Sequence, residues 1–155
     1  MTRKQIDRIC KEYNIQNYTI NDDLSIDVYT NVNLSILGLK ELPLNFNVVF
    51  GYFNCNMNNL TTLKGSPKIC HESFYCSQNN LTSLKYLPEN IAGYLDLSYN
   101  ELTNLYGINK VNGLIILYQN PLESLDGYDG DYGKLRHHEI KKLVRKQKLK
   151  MISKL

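Results

Sequence analysis

Apolar positions along this chain recur at a long fixed interval. Leu39, Leu60, Leu81 and Leu102 stand 21 residues apart, and Leu122 follows after 20. Leu42, Leu63, Leu84, Leu105 and Leu125 keep the same interval, as do Val32, Phe53, Phe74, Leu95 and Ile115. Another column runs Leu34, Cys55, Cys76, Leu97 and Leu117, and a polar one runs Asn58, Asn79, Asn100 and Asn120. A period of this length marks a solenoid, in which no turn buries its apolar face alone and stacked neighbours share one core. The pattern predicts five rungs between Val32 and Leu125.

Within a rung the order is apolar-x-apolar-x-x-Asn-x-Leu-x-x-Leu. Alternation at Phe53 and Cys55 puts two side chains on one face of a short strand, and stacking in register makes a parallel sheet. The bend that follows leaves backbone groups without ladder partners in a dry interior. An Asn amide, with two donors and an acceptor, answers that need, and its recurrence predicts a ladder of buried amides. The return segments hold Pro43, Pro67 and Pro88, with Gly65 close by, so loops or polyproline-like backbone are expected there. The first rung has Leu37 in the Asn column and the last has Pro121 after Asn120, as end rungs that meet a different neighbour would.

The stretch "YLPENIAGYLDLSYNELTNL" resembles short bacterial leucine-rich repeats, in which a Leu-Pro element precedes each strand. The longer segment "SIDVYTNVNLSILGLKELPLNFNVVFGYFNCNMNNLTTLKGSPK" resembles leucine-rich-repeat proteins of large bacteriophages and giant viruses. That resemblance implies a curved coil with its sheet on the concave face. It brings no assigned activity and no functional residues.

Before the repeats, Ile6, Ile9, Cys10 and Tyr13 fall at helical spacing behind Thr2, a candidate N-cap. "NYTINDDLSIDVY" then alternates around an Asn-Asp-Asp turn and reads as a hairpin. After the repeats, Ile140, Leu143, Val144, Met151, Ile152 and Leu155 form an apolar stripe on a basic helix running from His137. The fold class expected is thus an α/β solenoid, one domain of three parts. Residues 1–31 form an N-terminal cap, 32–126 the repeats, and 127–155 a Gly/Asp loop with the basic helix.

Charge sharpens this division. The formal charge of the whole chain is +3, yet Met1 to Gly133 carries 9 Lys/Arg against 14 Asp/Glu, while Lys134 to Leu155 carries 9 against one. A basic helix on an acidic body has two uses. Its stripe covers the last rung, and Lys141, Lys142, Arg145, Lys146, Lys148 and Lys150 are candidate contacts to nucleic acid or another acidic partner. No run of apolar residues is long enough for a membrane span, and the first residues lack a signal-peptide pattern, so a cytoplasmic location is expected.

Candidate chemistry is sparse. His71, His137 and His138 sit in no catalytic or zinc spacing, and Cys76 beside Cys70 and His71 occupies an inward strand position. Cys55 and Cys76, aligned on neighbouring strands, read as small core residues that stay reduced. Asp126, Asp129 and Asp131 among glycines fit no calcium-loop spacing. No metal, no cofactor and no enzymatic activity are expected.

The outward neighbours of the strand positions are more telling. They include Tyr52, Asn54, Asn56 and Met57, then Ser73, Tyr75, Ser77 and Gln78, then Tyr94, Asp96, Ser98 and Tyr99, then Leu114, Ile116, Tyr118 and Gln119. Tyrosines and two branched aliphatics among small polar residues compose an almost uncharged stripe, suited to a protein partner rather than to nucleic acid. The function expected is a non-enzymatic interaction module. Through the viral resemblance, it is expected to be a phage or viral protein that binds and modulates, by inhibition or redirection, a host or viral protein in the host cytoplasm.

Overall fold

The computed structural model describes residues 1–153. Leu155, the last residue of the expected apolar stripe, lies outside them. The chain is a β-solenoid of about five turns with a period near 21 residues, two parallel-stranded sheets and two helices.

Helix α1 (Arg3–Glu12) begins at Thr2 with a capping box: the Thr2 hydroxyl accepts from the Gln5 amide, and the Gln5 side chain accepts from the Thr2 amide. This satisfies two N–H groups that helix geometry leaves without partners. Ile6 and Cys10 are buried from its inner face. Strands β1 (Tyr18–Ile20) and β2 (Ile26–Val28) pair antiparallel, Tyr18 opposite Val28 and Ile20 opposite Ile26. At the turn between them the Asp23 carboxylate accepts from the Ser25 amide and hydroxyl.

One sheet contains β3 (Val32–Asn33), β5 (Phe53–Asn54), β7 (Phe74–Tyr75), β9 (Leu95–Asp96), β11 (Ile115–Ile116) and β12 (Leu135–Arg136). Its register aligns Val32, Phe53, Phe74, Leu95 and Ile115 as the spacing predicts. Phe53 and Phe74 stack with centroids 5.3 Å apart, so the ladder carries aromatic contact as well as area.

The return segments differ from expectation. Together with the hairpin they form a second sheet, β1-β2-β4-β6-β8-β10, parallel from β2 onward, where β4 is Phe46–Val49, β6 Ile69–Cys70, β8 Asn90–Ile91 and β10 Lys110–Val111. Its inward column is Val49, Cys70, Ile91 and Val111, all buried. Pro67 and Pro88 lie just ahead of β6 and β8, where a missing N–H removes no ladder bond, so proline marks strand entry here. The register also continues past Asp126. Leu135 and Arg136 pair with Ile115 and Ile116, which places buried His137 one position further, in line with Leu117. A short 3₁₀ turn (Tyr132–Lys134) and β12 therefore precede helix α2 (Ile140–Ile152), which starts later than His137.

The asparagines form the interior ladder. Asn79 donates to the carbonyls of Cys55 at 3.0 Å, Cys76 at 3.3 Å and Ser77 at 3.3 Å, and accepts from the Leu60 amide at 3.0 Å. Asn100 repeats the arrangement one rung on, donating to Cys76 and Leu97 and accepting from Leu81. Asn58 and Asn120 extend it to either side. Just before each amide sits a non-glycine residue at positive φ: Met57 at 55°, Gln78 at 54°, Tyr99 at 55° and Gln119 at 56°. A left-handed residue turns the chain sharply, and the Asn bonds on its far side hold the turn.

A second left-handed column runs Gly65, Tyr86, Gly107 and Gly127, with φ of 96°, 71°, 100° and 88°. A side chain at Gly107 would put Cβ 2.7 Å from the Leu84 carbonyl oxygen, and one at Gly127 would collide with the Tyr106 backbone. Tyr86 alone of the four carries a side chain in this corner.

Candidate protein-binding face

The outer face of the β3-to-β12 sheet collects most of the residues singled out above. Tyr52 and Tyr94 share one outward column, with Leu114 one rung further. Asn54, Tyr75, Asp96 and Ile116 share the next, since β5, β7, β9 and β11 pair in that register. Tyr52 and Tyr75 meet edge to face with centroids 6.2 Å apart.

Alternation alone overstates how much of this face is open. Ser77 is buried, as are Ser73 and Ser98, because a serine is too short to rise above the longer side chains beside it. These serines serve the scaffold instead. The Ser73 hydroxyl accepts from the Tyr94 amide at 2.9 Å, and the Ser77 amide donates to the Asn56 side chain at 2.6 Å. Leu114 and Ile116 are half-buried rather than open. Met57, Gln78, Tyr99 and Gln119 do not continue the strand alternation; they project from the left-handed turn at its end.

The polar members are largely occupied within the chain. The Asn54 side chain accepts from the Asn56 amide, and Asp96 accepts from both the amide and hydroxyl of Ser98. The tyrosines are not so constrained: Tyr94, Tyr99 and Tyr118 are 51%, 56% and 44% exposed. From Tyr52 to Gln119 the four outward columns contain one charged residue, Asp96, and β12 then adds Arg136 beside Ile116 at the end of the sheet. The face therefore presents aromatic area over a polar frame, part of whose hydrogen bonding is already in use within the chain.

A neighbouring aromatic row was not anticipated. Tyr29 and Phe50 stack at 5.2 Å and Phe50 and His71 at 4.9 Å, at the corner where the chain leaves one sheet for the other. The signal was the same interval of 21 residues, in a column outside any expected strand. It also separates Cys70 from His71, since Cys70 points inward and is buried while His71 joins the exposed stack. Among the described residues no group of three or more His, Cys, Asp or Glu is placed to hold a metal.

All four cysteines are buried free thiols. Burial pushes the Cys55 thiol well above its ordinary value, with the neighbouring Cys76 thiol adding to it. Cys70 is pushed up to about 11, chiefly by burial. Such thiols are protonated and weak as nucleophiles.

The six basic positions of α2 divide into two sets. Lys150 pairs with Asp126 at 2.6 Å, Lys146 donates to the Glu123 carbonyl at 3.0 Å, and Lys142 pairs with Glu139 at 3.0 Å. Leu143 is buried beneath the helix, with Ile140 and Val144 half-buried beside it. Lys141, Arg145 and Lys148 are exposed and bond no acidic group among the described residues.

The fold and this face define a β-solenoid of short repeats whose outer surface is aromatic and nearly uncharged from Tyr52 to Gln119. No protein-family model matches the chain, and comparison with curated proteins and with solved structures finds no match. Among the described residues no helix is long and apolar enough to cross a membrane.

Proposed function

We propose that this chain is a leucine-rich-repeat interaction module without catalytic activity, whose outer strand face binds a protein. The observation that carries the reading is the group of exposed tyrosines, Tyr94, Tyr99 and Tyr118, in rungs whose outward columns from Tyr52 to Gln119 hold one charge. Tyrosine supplies large contact area at small entropic cost, and the half-buried Leu114 and Ile116 give apolar support beside it. The helix and hairpin at the front, and α2 at the back, serve in this reading as caps on the end rungs.

The resemblance to phage and viral repeats makes the favoured partner a host protein, which the module inhibits or redirects in the host cytoplasm. The test is affinity capture from host lysate with the intact chain and with Tyr94→Ala/Tyr99→Ala/Tyr118→Ala, substitutions at exposed positions that leave the core untouched. Loss of a specific partner is expected, by about 30-fold or more if one of the rings is a hot spot worth about 2 kcal/mol. A partner retained equally by both proteins would refute the reading. The alternative of a nucleic-acid protein acting through α2 is weakened by the engagement of Lys142, Lys146 and Lys150 within the chain.

A further inference from the structure

The contacts beneath α2 fix which of its faces looks outward. Leu143 is buried, Lys146 reaches the Glu123 carbonyl, and both Gln147 and Lys150 reach the Asp126 carboxylate. Residues 143, 146, 147 and 150 lie on one side of a helix at 3.6 residues per turn. The opposite side is then Lys141, Arg145, Lys148 and Ile152, at intervals of four, three and four.

This outward side combines two features. Its three cations bond no acidic group among the described residues, whereas three cations elsewhere on the helix are matched to Glu139, the Glu123 carbonyl and Asp126. Its last turn is apolar and open at Leu149 and Ile152, which are 60% and 66% exposed. An acidic polymer such as duplex DNA satisfies the cations and leaves these apolar side chains in water. The interface of an anionic bilayer satisfies both, because lipid phosphates meet the Lys and Arg heads while Leu149 and Ile152 enter the acyl boundary.

We infer that the outward face of α2 is a peripheral membrane contact, selective for anionic lipid, which the solenoid holds by docking the helix through Leu143, Lys146, Gln147 and Lys150. Binding is reversible, because three cations and two apolar side chains give a modest anchor. It is also salt-sensitive, because surface potentials are screened. The inference is independent of the strand face and its partner.

The test is co-sedimentation of the full chain with vesicles of phosphatidylcholine alone and of phosphatidylcholine mixed with phosphatidylglycerol, at low and high salt. Retention is expected on the mixed vesicles at low salt and not on the neutral ones. Lys141→Gln/Arg145→Gln/Lys148→Gln is expected to lower affinity about 100-fold, from about five-fold per cation near an anionic surface. Leu149→Ser/Ile152→Ser is expected to lower it at least ten-fold. All of these positions are exposed, and an unchanged circular-dichroism spectrum confirms that the variants fold. The inference is overturned by equal retention on neutral vesicles, or by no retention on anionic ones. It is also overturned if the serine variant binds like the parent, as phosphate attraction alone would predict. Preference for a DNA duplex over the vesicles, or dimerisation abolished by the same substitutions, assigns the face to another occupant and overturns it too.

Discussion

Replacing Asn79 tests the logic of the ladder most directly. Its amide reaches three carbonyls, yet each of those carbonyls has a second donor: Cys55 from Asn58, Cys76 from Asn100 and Ser77 from the Met57 amide. The Leu60 amide has no such reserve, since its bond goes to the Asn79 side-chain oxygen at 3.0 Å and Leu60 is fully buried. Asn79→Ala therefore orphans one buried N–H, at about 1–3 kcal/mol, with about 1 kcal/mol more for the lost bonds and the small void. The expected loss is about 2–4 kcal/mol. Asn79→Leu refills the space and leaves the same N–H unpaired, so it stays destabilised by at least about 1 kcal/mol. Asn79→Asp keeps the acceptor but turns a carboxylate toward three carbonyl oxygens. Its pKa is then raised in the folded state, so this variant is worst at neutral pH and recovers as pH falls through that raised value. Urea unfolding followed by circular dichroism measures all three, with Asn59→Ala, the exposed neighbour, as a control within about 0.5 kcal/mol of the parent. An Asn79→Ala protein as stable as that control, at equal m-value, would show that the ladder does not hold the bends.

Three further outcomes follow from particular positions. At Tyr86, φ of 71° makes Tyr86→Gly more stable than Tyr86→Ala by about 1 kcal/mol in thermal unfolding, because both lose the ring and glycine alone escapes the left-handed strain; equal stability would refute this. Burial holds the His137 imidazole below its ordinary pKa, and the nearby His138 ring adds to that while Glu139 and the Asn120 carbonyl oppose it. Its contribution to stability is therefore complete above about pH 6.5 and lost as pH falls through the folded value, which hydrogen exchange of β12 and α2 should show and His137→Gln should abolish. The four buried thiols should resist a thiol reagent in the native protein and all react in denaturant, whereas fast native labelling of Cys55 or Cys76 would contradict their placement in the core.

The rungs were legible because they follow one rule: Phe53, Cys55, Asn58, Leu60 and Leu63 do the same work 21 residues later at Phe74, Cys76, Asn79, Leu81 and Leu84. The second sheet was equally periodic, in Val49, Cys70, Ile91 and Val111, but Pro67 and Pro88 beside it argued for loops. Proline at a strand's threshold gives the same local signal as proline in a coil. The sixth strand was hidden by His137, a polar residue in a column otherwise filled by leucine and cysteine. It is tolerated there because its ring bonds the Asn120 carbonyl at 3.1 Å and accepts from the Glu139 amide at 3.2 Å. On the outer face, alternation correctly separated Tyr75 from Cys76 but not Tyr75 from Ser77. Direction follows from period, whereas exposure depends on side-chain length relative to the neighbours.

The two kinds of column also differ in how they vary. Those that hold the coil repeat their chemistry, as in Asn58, Asn79, Asn100 and Asn120, because a ladder works only when each rung offers the next the same groups. Outward columns change from rung to rung, from Asn54 to Tyr75 to Asp96 to Ile116, and from Tyr52 to Ser73 to Tyr94 to Leu114. A face maintained only for stacking would favour like against like, because matched cross-strand pairs stabilise a sheet. Instead, apolar and aromatic character gathers toward the later rungs, in Tyr94, Tyr99, Leu114, Ile116 and Tyr118. On the proposed reading, an irregular pattern on a regular scaffold suits a partner whose own surface is irregular, which makes Tyr99 and Tyr118 the first residues to alter in testing it.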